Sequence, residues 1–304
     1  MVGALYSFLP CGSYPTVDLY IQGYFSPESF RKDLKTVFMG FLSCIQMQAK
    51  VGRVATTQRN TPFWHMAADY YFLHHARGRL DGPFLRFWKC DPCVVIGRSQ
   101  VLAHEVNVKY CKENDIKIAR RISGGGAVYL DNGILNASIV VPRSFLNGIT
   151  SVSTLNSLFT VNLANALEMI DGSPVRVESP ATILFDDFKV SGGAAYHKMS
   201  AILHHATFLL HANLEHLEAS LVASPSNPVT ASGSKYHPTK NIPRIEGNYL
   251  EKCIIKQFEK VFNLQFNAHS LAREECKGIQ ELERQWFRDP KWIDGARRPR
   301  RNRS

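Results

Sequence analysis

The chain has 304 residues, 45% of them apolar and 11% aromatic, which is ample for a packed core and excludes a disordered or fibrous protein. Its formal charge is +10, but half of that excess sits in the last eight residues, Arg297 to Ser304, which carry five arginines and no aromatic. Such a run reads as a solvated tail rather than a nucleic-acid site, and no apolar run approaches the ~20 residues that cross a bilayer, so neither nucleic acid nor a membrane is expected as a partner.

From Leu34 to Ala68 there is no Asp or Glu, while Lys35, Lys50, Arg53 and Arg59 are present. Acid-poor and basic is the composition of a mitochondrial transit peptide. Residues 1–59 are therefore read as an N-terminal leader, and a mitochondrial location is expected. Asp18, Glu28 and Asp33 interrupt the pattern, so Met39 is the better start and the extreme N-terminus reads as a gene-model extension. A leader with no address is the alternative.

Order is expected to begin near Asn60. Phe63, Ala67, Tyr70, Tyr71 and His74 recur at helical spacing, with Asn60 or Thr61 as N-cap and Gly78 as the stop. Phe84–Trp88 and Cys93–Gly97 read as strands around the Asp91-Pro92 turn. Val106–Asn114 is a short helix, Ile116–Ile118 a strand, and Ile134–Val141 another strand closed by Pro142. Leu155 through Ile170 mark an amphipathic helix capped by Gly172. Phe188–Tyr196 and Ile202–Leu210 form a strand pair. Alternation puts Lys189 with Ser191, puts His205 with Thr207, and sends His204 to the other side. Ser224–Pro243 is loop-like, Tyr249–Phe262 is a strong helix and Glu274–Trp286 another. The expected fold is α/β, with a mixed, largely antiparallel sheet flanked by helices. The catalytic domain is placed at 60–265, and 266–304 is read as a shortened C-terminal helix and Arg-rich tail.

Seven cysteines without framework spacing predict reduced thiols. Cys90 and Cys93 form a Cys-Asp-Pro-Cys pair with no second ligand pair at zinc spacing, so no metal site is expected.

The most specific run is Arg120-Arg121-Ile122-Ser123-Gly124-Gly125-Gly126-Ala127-Val128-Tyr129. Three glycines let a backbone reach positive φ and approach a ligand closely, and successive N–H groups in such a turn cradle anionic oxygens. Downstream come Lys189-Val190-Ser191-Gly192 and His204-His205-Ala206-Thr207. Over these blocks, from Asn60 to about Phe262, the chain resembles the lipoate-protein ligases and lipoyltransferases of the biotinyl/lipoyl-protein ligase superfamily. That resemblance implies Lys189 as the catalytic cation. It also implies Arg121, Ser123, Gly124, Gly125, Gly126, Val128, Ser191, Gly192, His205 and Thr207 as substrate or adenylate contacts, and a structural Gln100.

There are departures from the family pattern. Ala181 stands where many members carry Asp, Leu130 where many carry His, and Ala206 replaces a glycine. Trp292-Ile293-Asp294-Gly295 loosely resembles a family Trp-x-Tyr-Gly. Members with a cysteine nucleophile transfer octanoyl groups through a thioester, but no Cys lies between Cys111 and Cys253. The resemblance thus implies a monomeric lipoyltransferase. It would move a lipoyl group from lipoyl-AMP or a lipoylated carrier to lysines of apo lipoyl domains in 2-oxoacid dehydrogenase complexes and the glycine-cleavage carrier protein. A complete ligase using lipoate, ATP and Mg²⁺ is the nearest rival, and a non-catalytic lipoyl-binding scaffold is the alternative of another class.

Overall fold

The computed structural model describes residues 51–295 apart from positions 80, 147, 150, 173, 179, 180 and 199. Most of the expected leader and the arginine tail lie outside the described residues. In chain order the elements are β1 (Val51–Gln58), α1 (Pro62–Arg79), β2 (Phe84–Lys89), β3 (Cys93–Ile96), α2 (Leu102–Glu105), α3 (Val108–Glu113) and β4 (Lys117–Arg120). Then follow β5 (Val128–Leu130), β6 (Ile134–Pro142), a 3₁₀ turn (Arg143–Phe145), α4 (Val152–Asp171), β7 (Arg176–Glu178), β8 (Thr182–Phe185), β9 (Phe188–His197) and β10 (Ala201–Leu209). The last are α5 (Leu214–Ser220), α6 (Gly247–Phe262), β11 (Gln265–Ala268), α7 (Arg273–Leu282), a π turn (Glu283–Phe287) and α8 (Pro290–Ile293).

Eight strands form one sheet in the order β11-β1-β2-β6-β10-β9-β8-β7, and β4-β3-β5 form a second, smaller one. Within the large sheet only the β11-β1 and β1-β2 pairs are parallel, so the mixed, largely antiparallel expectation holds. The two strands around Asp91-Pro92 do not pair with each other: β2 lies in the large sheet and β3 in the small one. The turn carries the chain from one sheet to the other, which local sequence pattern does not reveal.

Helix α1 starts with proline at its first position, where the missing N–H costs nothing. It is buried on nearly every side from Trp64 to Leu73, because it lies against the large sheet and also meets the small sheet and the C-terminal helices. On the other face of the large sheet, Leu155, Phe159, Leu163 and Leu167 of α4 pack with Leu250, Ile254 and Phe258 of α6. Burying each such side chain contributes about 1.5–3 kcal/mol. Ser151 caps the N-terminus of α4 through Thr154 N, and Gly172 ends the helix in the left-handed conformation, φ 75°.

Two boundaries move. The first strand, β1, lies inside the stretch read as a leader, and it pairs with β2 through Arg53↔Phe84 to Gln58↔Lys89. Its place inside an acid-poor, basic stretch hid a strand that sits between two others. At the other end, β11 pairs with β1, and Trp286, Phe287 and Trp292 join the α1 core, so 266–295 is part of the same folded body. Arg120 binds this end directly: its Nε and Nη2 donate to the carbonyls of Trp292 and Ile293, and Trp292 Nε1 donates back to Arg120 O, 3.0 Å.

Candidate active site

Strands β4 and β5 both pair with β3, so the chain between them, residues 121–127, must loop over its end. Arg121 shapes that loop from within. Its guanidinium donates to Ser123 Oγ at 3.0 Å, to Val95 O at 3.0 Å, to Gly124 O at 2.6 Å and to Gly126 O at 2.8 Å. With those carbonyls turned toward the guanidinium, the planar trans peptide aims the Gly125 N–H away from it. Gly125 holds φ 86°, a conformation that favours glycine. Burial lowers the Arg121 pKa to about 10, which still leaves a full positive charge beneath the loop at neutral pH. Arg121 therefore braces the loop from within, and it also lines the cavity that a substrate would fill.

Lys189 is positioned by an irregularity. Ile183 faces Ser191 and Leu184 faces Lys189, which leaves Val190 as an extra residue in β9. A bulge of this kind shifts the alternation of side chains. Lys189 therefore shares the cavity face with Gly192 and Ala194, while Ser191 is buried opposite Phe208, away from the cavity. The expected pairing of Lys189 with Ser191 on one face is thus corrected, and Ser191 is not a cavity residue. Lys189 N donates to Pro238 O at 2.8 Å, and Lys240 N donates to Lys189 O at 3.3 Å, so the 224–243 loop holds the lysine's backbone. Burial and the charge of Arg121 lower the Lys189 pKa, and the carboxylate of Glu178 opposes them.

His205 faces the cavity and His204 the opposite side, where it stacks on Phe159, as the alternation predicts. His205 Nε2 is 2.7 Å from Ser123 Oγ, and its Nδ1 is 3.1 Å from Asp69 Oδ2. Asp69 is buried and bound by Arg86, whose Nη1 also meets His65 Nδ1 at 2.8 Å. Burial alone would raise the Asp69 carboxyl, but the Arg86 charge and the hydrogen bonds from His205 and Arg86 outweigh it and hold the pKa at about 2. An ionised Asp69 accepts from a proton on His205 Nδ1, so the ring is held between that carboxylate and the Ser123 hydroxyl. This chain of contacts ties the loop to the middle of the large sheet. Sequence reading missed Asp69 and Arg86. The available signal was an arginine in the otherwise apolar run Phe84-Leu85-Arg86-Phe87-Trp88.

A cavity of about 310 Å³ lies over the sheet, lined by Arg121, Gly125, Gly126, Val128, Lys189, Gly192, His205 and Thr207 among others. Its inner end is apolar, with Met66, Trp88, Val95 and Leu130. Ser123 is fully buried beneath it, and Gly124 is exposed at the loop. A second cavity of about 220 Å³ shares Ala127, Val128, Lys189 and Thr207 with the first, and runs between Glu105, Leu217, Leu221 and Tyr236. Lys189 stands where the two meet. Gln100 links the parts: it accepts from Gly97 N at 2.8 Å and donates to Ser234 Oγ at 2.9 Å, which also accepts from Ala127 N. No cysteine lines either cavity among the described residues. Cys111 and Cys253 are buried elsewhere, and the Cys90 and Cys93 sulfurs are 3.6 Å apart within the core.

Lipoate-protein ligase A subunit 1 of Thermoplasma acidophilum is 28% identical over 228 residues, which are 72% of this chain and 87% of that one. The mitochondrial lipoyl amidotransferase LIPT1 of Homo sapiens is 31% identical over 209 residues, 67% of this chain, but the match spans only 51% of the human protein. A solved bipartite lipoate protein ligase of T. acidophilum, described with its E2 lipoyl domain, superposes with a TM-score of 0.71 at 25% identity, covering 82% of this chain and 98% of that one. A T. acidophilum protein with bound lipoic acid gives 0.69 at 25% identity, over 80% and 99% of the two chains. The model of the lipoyl protein ligase A/B catalytic domain matches residues 61–262, and the chain belongs to that family.

Proposed function

We propose that the protein transfers a lipoyl group from lipoyl-AMP to the ε-amine of a lysine in lipoyl-domain proteins. The observation that carries this reading is the placement of Lys189 at the junction of the two cavities. The larger, with its apolar inner end, suits an acyl chain and dithiolane ring, and the smaller suits a nucleoside. The mixed anhydride then lies at the junction, beneath the lysine ammonium and beside the glycine loop. Charge that develops on the carbonyl and phosphate oxygens during attack is stabilised there by fixed donors, usually the largest catalytic contribution. Arg121 adds a buried positive charge without moving. Binding donor and acceptor in one orientation removes much of the entropic cost of their meeting.

The acceptors in this reading are the apo lipoyl domains of 2-oxoacid dehydrogenase complexes and the glycine-cleavage carrier protein, and the location is mitochondrial, in keeping with the human relative. The test is mass spectrometry of an apo lipoyl domain incubated with the protein and either lipoyl-AMP or lipoate plus ATP and Mg²⁺. Modification is expected from lipoyl-AMP and weak from the second mixture, because Ala181 replaces an acid that many members carry. Equal modification from both makes the protein a complete ligase. None from either leaves a non-catalytic lipoyl binder.

A further inference from the structure

The floor of the larger cavity is a single file of residues across the sheet. Glu178 of β7 faces Thr182 of β8, which faces Gly192 of β9, which faces Thr207 of β10. Thr207 faces Asn136 of β6, and Asn136 faces Trp88 of β2. Residues directly opposite on neighbouring strands point to the same face, and all six of these line the cavity. With strands about 4.8 Å apart, the file is about 24 Å long. Trp88 ends it inside the apolar core, and Glu178 ends it on β7, the edge strand of the sheet.

The two ends differ in charge as well as access. Arg121, Lys189 and Lys235 all line this cavity, and among the described residues Glu178 is its one carboxylate. The Glu178 side chain is 44% exposed, and it forms an ion pair with the exposed Arg176 at 3.9 Å. An acceptor lysine has an ordinary pKa of about 10.4 and so arrives as an ammonium ion. Three cations in the cavity repel it, and it cannot attack until it has lost a proton.

We propose that Glu178 is the group that meets the acceptor: its carboxylate orients the incoming lysine ammonium at the open end of the file and takes its proton. This rests on the lipoyl-transfer reading above. The ammonium gives one proton to the Glu178 carboxylate. The freed nitrogen lone pair bonds to the lipoyl carbonyl carbon, and the bond from that carbon to the phosphate oxygen breaks, its electron pair leaving on the phosphate. The second nitrogen proton departs on the phosphate oxygen, giving the amide and AMP, and Glu178 returns its proton to water at the rim. The support that Glu178 gives to the charged forms of Lys189 and His237 places its field at the same end of the cavity.

The experiment uses the full chain, preformed lipoyl-AMP and no ATP, with two acceptors: an apo lipoyl domain, and hydroxylamine, which is neutral at neutral pH and needs no carboxylate to free its lone pair. Glu178→Gln is expected to lower kcat/KM for the lipoyl domain by about 10²-fold, the usual range for loss of a positioned base. With hydroxylamine the loss is expected to stay within about 3-fold, and Glu178→Asp is expected to recover part of the activity with the domain. A wild-type rate on the lipoyl domain overturns the proposal. So does an equal loss with both acceptors, which would assign Glu178 to donor binding or to the fold. If the wild-type protein transfers to neither acceptor, the lipoyl-transfer reading itself falls and takes this one with it.

Discussion

The ammonium of Lys189 lies over Gly192: a Cβ built on that glycine would stand 2.9 Å from Lys189 Cε and 3.1 Å from its Nζ. The glycine is required here by space rather than by backbone angle, since any side chain at 192 competes with the lysine for the cavity floor. Gly192→Ala is expected to shift the ammonium and lower transfer from lipoyl-AMP by about 10–10²-fold, because misplacement by an ångström in a reacting site costs that much. Stability is expected to change by less than about 1 kcal/mol, since the displaced atoms are the far end of a flexible chain. Turnover assays beside urea unfolding of the same variant check both numbers. Wild-type turnover would mean that the lysine does its work from another position.

Lys189→Ala is expected to abolish transfer while leaving the fold intact. Removing one fixed donor to developing charge costs about 3 kcal/mol, a fall of roughly 10²–10³-fold. Lys189→Arg keeps the charge but replaces a compact ammonium with a planar fork, which cannot occupy the space above Gly192, so it is also expected to be poor. Single-turnover rates with preformed lipoyl-AMP separate this loss from donor binding. A lysine that merely faced solvent would show no change in rate.

The helices, most strands and the glycine loop were legible because each is a local pattern: apolar spacing for α4 and α6, a glycine C-cap at Gly172, alternation that separates His204 from His205. What escaped depends on partners far away in sequence. Strand β1 carries Val51, Val54, Thr56 and Thr57, but the acid-poor composition around it reads as a leader, and its place between β2 and β11 comes from pairing. The bulge at Val190 follows from the unequal registers of β8 and β9, so simple alternation put Ser191 on the wrong face. Ala181 stands where many members carry an acid, and Glu178 at the end of β7, just before it in the chain, reaches the same cavity. Asp69 and His205 meet across 136 residues of sequence, and no spacing rule connects them.

The Asp69–Arg86 pair, buried under His205, is expected to dominate stability near the site. Arg86→Leu leaves a buried carboxylate without its cation and removes the donors to Thr57 Oγ1 and His65. Breaking one side of such a pair costs about 3–5 kcal/mol, because the remaining charge has no solvent to turn to. Urea unfolding followed by circular dichroism measures the loss. A change below about 1 kcal/mol would show that the pair is solvated in solution.

Stability is expected to fall steeply in mild acid, and two histidines set the window. His65 is buried with Nδ1 against the Arg86 guanidinium, and burial followed by that charge lowers its pKa to about 3. His204 is buried on the far face, stacked on Phe159, and burial with its histidine neighbours also lowers its pKa to about 3. Both folded-state values lie below the unfolded value of about 6.5, so between those limits the unfolded chain binds more protons than the native one. Native stability is therefore full above pH 6.5 and is lost as pH falls toward 3. At pH 4.5, two groups each displaced by two units remove about 5 kcal/mol. Asp69 adds its own loss only below about pH 4, since its folded value of about 2 lies under the unfolded one. Urea midpoints at pH 7 and pH 4.5 check the drop. His204→Leu fills the space against Phe159 without a titrating ring and is expected to remove about half of it, whereas an unchanged drop in that variant would place the acid sensitivity elsewhere.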